Sequence, residues 1–111
     1  MQLSDQIRIK HMIDVAAEAI SFAEGKDRKA LDRERMLVLS LIKEIEIIGE
    51  AAGKISVGVK ERNSQVPWDD INGMRNHLVH GYFDVDLDML WNTVNLDLPM
   101  LLIKLRKIIS K

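Results

Sequence analysis

The chain has 111 residues, of which 47% are hydrophobic and 30% charged, with six glycines, two prolines and no cysteine. That length suits one domain, residues 1–111, large enough to bury roughly two-thirds of its unfolded surface, and the apolar content excludes a disordered chain. Sixteen Lys and Arg against 17 Asp and Glu leave a net charge of −1, so contact with nucleic acid or anionic lipid must be local rather than global.

The lack of cysteine excludes disulfides, thiolate nucleophiles, Cys-ligated zinc and Cys-bound iron–sulfur clusters, and it fits a reducing compartment. The start, Met1-Gln2-Leu3-Ser4-Asp5, leads straight into an amphipathic pattern with no visible signal peptide. No apolar run approaches the roughly 18 residues a membrane span needs. The expectation is a small, soluble, cytoplasmic domain.

Helical spacing dominates the chain. Ile9, Met12, Ile13, Ala16, Ile20 and Ala23 recur at three- and four-residue steps and predict a helix over 4–24, with Ser4 or Asp5 as N-cap and Gly25 as stop. A charged connection, residues 25–29, precedes a second helix predicted over 31–55 through Leu37, Leu41, Ile45, Ile48 and Ala52. Gly49 and Gly53 lie inside it. Each costs about 1 kcal/mol relative to alanine, which close approach of a neighbouring helix over small residues would offset.

Residues 56–66 carry no clean period and read as a loop with at most one short turn. Pro67 suits the first position of a third helix, whose stripe is Ile71, Met74, Leu78 and Val79 and whose C-terminal cap is Gly81. The last segment opens at Asp84 or Asp86 and runs through Leu87, Leu90, Trp91, Val94, Leu98, Leu101, Leu105 and Ile108, with Pro99 breaking it near Leu98. Nothing alternates at period two for long enough to form a strand. The fold class is therefore all-α, an antiparallel up-and-down bundle of four to five helices around an aliphatic core.

The sequence holds no Gly-rich phosphate loop, nucleophile elbow or dinucleotide fingerprint, so no cofactor is expected. The Glu-x-x-His pairs of a di-iron bundle are missing, and His77 with His80 lacks a third ligand, so no metal site is assigned. One dense polar cluster remains, from Arg75 to Asp84. On a continuing helix Asn76 and His80 share a face, so the amide can orient the imidazole. Arg75 and His80 lie about 140° apart on such a helix, so either the chain bends near Gly81 or a second copy completes the site. A capped helix end sealed by Tyr82 and Phe83 would use the same residue types.

The run Arg75-Asn76-His77-Leu78-Val79-His80-Gly81-Tyr82 resembles the R-x4-H-x-Y motif of the HepT-like group within the HEPN superfamily. The likeness extends to Pro67-Trp68-Asp69-Asp70-Ile71 with Gly73-Met74 before the motif and to Phe83-Asp84-Val85-Asp86 after it. Ile48-Gly49-Glu50-Ala51-Ala52 and Trp91 match its second and fourth helices. The bare R-x4-H spacing is weak, and the surrounding run makes the likeness specific.

The resemblance implies a toxin of a prokaryotic toxin–antitoxin pair, a HEPN-like endoribonuclease that cleaves RNA without metal at a site shared across a homodimer. It also implies an MNT-type minimal nucleotidyltransferase as antitoxin partner and AMP transfer to Tyr82. His80 would act as general acid or base on the 2′-hydroxyl or the leaving 5′-oxygen. Arg75 would hold the phosphate and stabilise its developing charge, and Asn76 would orient the imidazole or the phosphate. Attack by the 2′-hydroxyl leaves a 2′,3′-cyclic phosphate, and AMP on Tyr82 would repel an RNA backbone. His77 and Asp84 are accessory candidates, with His77 read as exposed. Lys26, Arg28, Lys29, Arg33 and Arg35 would supply an RNA-binding patch if they face the cleft. The rival readings are a non-catalytic helical module that binds nucleotide or docks a nucleotidyltransferase, and a dimerisation domain with no chemistry.

Overall fold

A computed structural model of the chain describes residues 1–80 and 84–110. The first helix, α1 (Leu3–Ala23), buries Ile9, Met12, Ala16, Ala19 and Ala23 on one stripe. It ends before Gly25, whose φ of +75° is the left-handed conformation that lets the chain turn away. Ser4 and Asp5 are not its caps, because helical geometry begins at Leu3 with Gln2 at the boundary. Asp5 instead turns inward and accepts from the Ser56 amide at 3.0 Å and the Ser56 hydroxyl at 2.8 Å.

The helix expected over 31–55 is two helices, α2 (Ala30–Arg33) and α3 (Arg35–Gly53), broken at Glu34 with φ −113° and ψ 87°. Leu31 and Leu37 are both buried, yet six residues on an unbroken helix would set them about 120° apart. The break brings both to the core, and Lys26 holds the Glu34 side chain at 2.9 Å.

The expected loop after α3 contains α4 (Val57–Arg62). Only Val59 of it is buried, so it is too short and too exposed to leave a readable period. Asp5 fixes its start, and the Asn63 side chain donates to the Val59 carbonyl at 2.8 Å to close its end. Pro67 occupies the cap position of α5 (Trp68–Leu78), one residue before its expected place, and its carbonyl accepts from Ile71 at 3.0 Å.

Gly49 and Gly53 serve the close approach expected of them. A β-carbon on Gly49 would lie 3.1 Å from the Ile71 carbonyl oxygen, and one on Gly53 would lie 3.0 Å from the Asn72 side-chain oxygen. α5 therefore crosses α3 with its backbone nearly touching.

Beyond Leu78 the chain becomes extended. Two short strands, β1 (Val79–His80) and β2 (Asp84–Val85), pair antiparallel with Val79 opposite Val85 and His80 opposite Asp84. Asp86 then caps α6 (Leu87–Asn92), its carboxylate accepting from the Met89 amide at 3.0 Å. A π-helical segment (Thr93–Asp97) links α6 to α7 (Leu98–Ile109). Pro99 explains it: proline cannot donate to the carbonyl four residues back and clashes with it, so the preceding turn widens until Leu98 bonds Thr93 five residues back.

The long helices pack in the order α5, α3, α1, α7 around an aliphatic core that includes Leu41, Ile45, Ile48, Leu98 and Leu105. The chain is thus an all-α bundle with one small hairpin. Among the described residues, no helix is long and apolar enough to cross a membrane.

Candidate active site

The crossing of α3 and α5 sets where the polar cluster projects. Ile71 and Leu78 are buried, so the last turn of α5 turns Arg75, Asn76 and His77 to solvent. Arg75 Nε lies 3.7 Å from Glu46 Oε2 of α3, while Glu46 also takes Lys43 at 3.1 Å. The Arg75–Glu46 distance is too long for a hydrogen bond, so the guanidinium is held loosely and can turn to an anion.

His80 is not on the helix with Asn76. The helical geometry ends at Leu78, with Val79 at φ −114° and ψ 117°, and the expected shared face of Asn76 and His80 does not form. Val79 is β-branched and pairs with Val85, which draws the chain into the hairpin instead. The Asp86 amide, donating to the Leu78 carbonyl at 2.8 Å, locks the exit strand against the helix end. The bend therefore comes before Gly81, and the residue directly opposite the exposed His80 is Asp84. Opposed cross-strand residues have β-carbons about 4.5–5.5 Å apart. Gly81, the expected cap, and Tyr82 and Phe83 lie outside the described residues.

His77 is exposed, as expected, and it lines a cavity of about 520 Å³ between α5 and α6–α7 together with Met74, Met89 and Met100. Met89, Leu96, Met100 and Ile103 leave an uncovered apolar face along α6, the π-helical segment and α7. Met74 was expected on the apolar stripe of its helix, whereas Met89 and Met100 were not marked by the sequence, because their exposure depends on how the helices pack. The same holds for Glu46.

The basic residues near α2 are largely engaged. Lys26 pairs with Glu34 at 2.9 Å, Arg28 with Asp88 at 2.7 Å and Asp32 at 3.2 Å, and Arg33 with Asp27 at 3.8 Å. Arg33 and Arg35 also line a cavity of about 300 Å³ beside Asp84 and Val85. Of the expected five-residue patch, only the exposed Lys29 and Arg35 are in no ion pair among the described residues, with Asp32 and Asp84 beside Arg35. Among the described residues, no group of three or more His, Asp or Glu is placed to hold a metal ion.

Comparison with known proteins places the chain in a family. The sequence profile of the family described as Ribonuclease HepT-like matches residues 12–108. A Thermococcus cleftensis protein named "Probable ribonuclease HepT" is 34% identical over 103 residues, covering 89% of this chain and 94% of its own. The "Putative RNase TTE0752" of Caldanaerobacter subterraneus subsp. tengcongensis is 29% identical over 103 residues, covering 93% of this chain and 92% of its own. A Methanocaldococcus jannaschii protein, "Putative RNase MJ1380", is 34% identical over 88 residues, covering 79% and 81%. No solved structure matches the chain.

Proposed function

The chain belongs to the HepT-like ribonuclease family, and from that premise we propose that it is the toxin of a toxin–antitoxin pair, an endoribonuclease whose Arg75, Asn76 and His80 act on RNA at a site shared by two copies. The observation that carries this reading is the exposed end of α5. There a loosely held guanidinium and a solvent-facing imidazole stand on adjoining elements at one edge of the bundle.

Chemistry follows from the residue types. His80 takes the 2′-hydroxyl proton or delivers one to the departing 5′-oxygen. Arg75 turns from Glu46 to the scissile phosphate and stabilises the charge that builds on it. Asp84, opposite His80 on the hairpin, takes the orienting role first given to Asn76, and Asn76 is left to hold the phosphate. These groups suffice for internal attack by the 2′-hydroxyl, so the proposed reaction needs no metal and leaves a 2′,3′-cyclic phosphate.

One feature supports a shared site. The uncovered apolar face of Met89, Leu96, Met100 and Ile103 borders the groove that His77 lines, and a second copy would cover it. The same face also supports the second reading, in which a helical module docks an MNT-type nucleotidyltransferase that transfers AMP to Tyr82.

The test is cleavage of single-stranded RNA by the unmodified chain in EDTA, with His80→Ala alongside. The proposal expects fragments with cyclic-phosphate ends and their loss in the variant. A folded, unmodified chain that cleaves no RNA would overturn it in favour of the docking module.

A further inference from the structure

The charges of this chain are segregated in a way the net value of −1 conceals. Around the hairpin, Lys26, Arg28 and Arg33 are matched by carboxylates. At the other end of the bundle, the first half of α1, α4 and the last turn of α7 enclose a cleft of about 710 Å³. Lys10 and Arg62 stand on its walls, Gln6 and Asn63 beside them, and Val59 and Ile108 line it between. Among the described residues no acidic side chain lines this cleft, and neither Lys10 nor Arg62 is in an ion pair.

The surroundings extend the positive surface. Arg106 shares a second cavity with Lys10, in which Asp14 is the acid present, and Arg8 donates to the Lys54 carbonyl at 3.4 Å. Arg62 folds back over its own helix at Gly58, where a β-carbon would come within 3.2 Å of Nη1. The nearby acid Asp5 is buried and spent on Ser56.

We infer that the cleft bounded by Lys10 and Arg62 is an RNA-backbone exosite, holding phosphates of the substrate strand away from the R-x4-H end of α5. This inference rests on the ribonuclease reading and gives its substrate a second anchor. α1 alone runs about 20 Å from Lys10 to its C-terminal end beside α2, so a strand reaching both places must be several nucleotides long. Among the described residues no aromatic side chain lines the cleft, so the contact is to phosphate, sequence-tolerant and salt-dependent.

The test uses the full chain and a fluorescein-labelled 2′-O-methyl oligoribonucleotide, which cannot be cleaved through its 2′-oxygens. Anisotropy titrations across a salt series give Kd and its salt slope. Lys10→Glu with Arg62→Glu should weaken binding at least about tenfold at low salt and flatten the slope by roughly 1.4, the value for two lost single-strand phosphate contacts. The neutral pair Lys10→Gln with Arg62→Gln should give a smaller loss in the same direction, and circular dichroism checks that both fold. Lys26→Glu with Lys29→Glu carries the same charge change at the other end and should lose less.

Dinucleotide cleavage separates this inference from the reading it rests on, since a substrate that short cannot reach the exosite and should keep its rate in the Lys10 and Arg62 variants. Unchanged affinity and slope in those variants, or an equal loss in the Lys26 and Lys29 pair, would overturn the exosite while leaving cleavage intact. Loss of binding in those variants of a chain that cleaves nothing would uphold the cleft as an RNA-backbone site and remove the ribonuclease reading, and with it the cleft's role as a substrate anchor.

Discussion

The Ile71 carbonyl oxygen of α5 lies over Gly49 of α3, at the spot where a β-carbon would approach it to 3.1 Å. Arg75 is one helical turn beyond Ile71, and Glu46 is three residues before Gly49, so this crossing also fixes the Arg75–Glu46 pairing at 3.7 Å. Gly49→Ala gains about 1 kcal/mol of helix propensity but forces a methyl group against a rigid backbone oxygen, an overpacking cost of about 1–3 kcal/mol. The expected result is a net loss of about 1 kcal/mol in urea unfolding. Gly53→Ala meets only the movable Asn72 side chain and should cost less.

Asp5 joins the start of α1 to the start of α4 through two hydrogen bonds from Ser56, first from its amide and then from its hydroxyl, and these hold the carboxyl below its ordinary 3.8. A carboxylate with a lowered pKa contributes stability that is complete above 3.8 and fades as pH falls through its folded-state value. Asp5→Ala should lose about 1–3 kcal/mol near neutral pH, measured by urea unfolding, because it removes both hydrogen bonds that the buried carboxylate accepts from Ser56. The variant should also be less sensitive to acid than the parent.

Glu44 behaves in the opposite sense. Burial, and then the neighbouring Glu18 of α1, push its carboxyl up to about 7, and its Oε2 is buried with no hydrogen-bond partner among the described residues. The folded chain therefore binds an extra proton between 4.5 and about 7, and stability should fall as pH rises through that window. Glu44→Gln keeps the donor toward Glu18 and should flatten the dependence between pH 5 and 8. A parent chain whose urea midpoint is level across that range would contradict the assignment.

The long helices were legible because their apolar stripes are long: Ile9 to Ala23, Leu37 to Ala52 and Leu98 to Ile108 each recur over several turns. The break at Glu34 was not, since Leu31 and Leu37 fit one stripe loosely and only the packing shows that both must be buried. α4 hid behind a single buried residue, Val59. At the site, the residue types from Arg75 to His80 were readable, but the helical spacing of Asn76 and His80 was misleading. A two-residue strand leaves no period, and the symmetric placement of Val79 and Val85 about Gly81-Tyr82-Phe83 was the available signal. The basic cleft leaves no signal in the sequence, because Lys10 and Arg62 are 52 positions apart and meet only through the fold.

Subunit mixing tests the central claim, a cleavage site shared between two copies, most directly. Arg75→Ala and His80→Ala chains, each inactive alone, are combined, allowed to exchange and assayed for RNA cleavage in EDTA. A shared site predicts recovery of roughly a quarter of the parent activity, because half of the random dimers then hold one intact site of two. A mixture that forms dimers and stays inactive would contradict it.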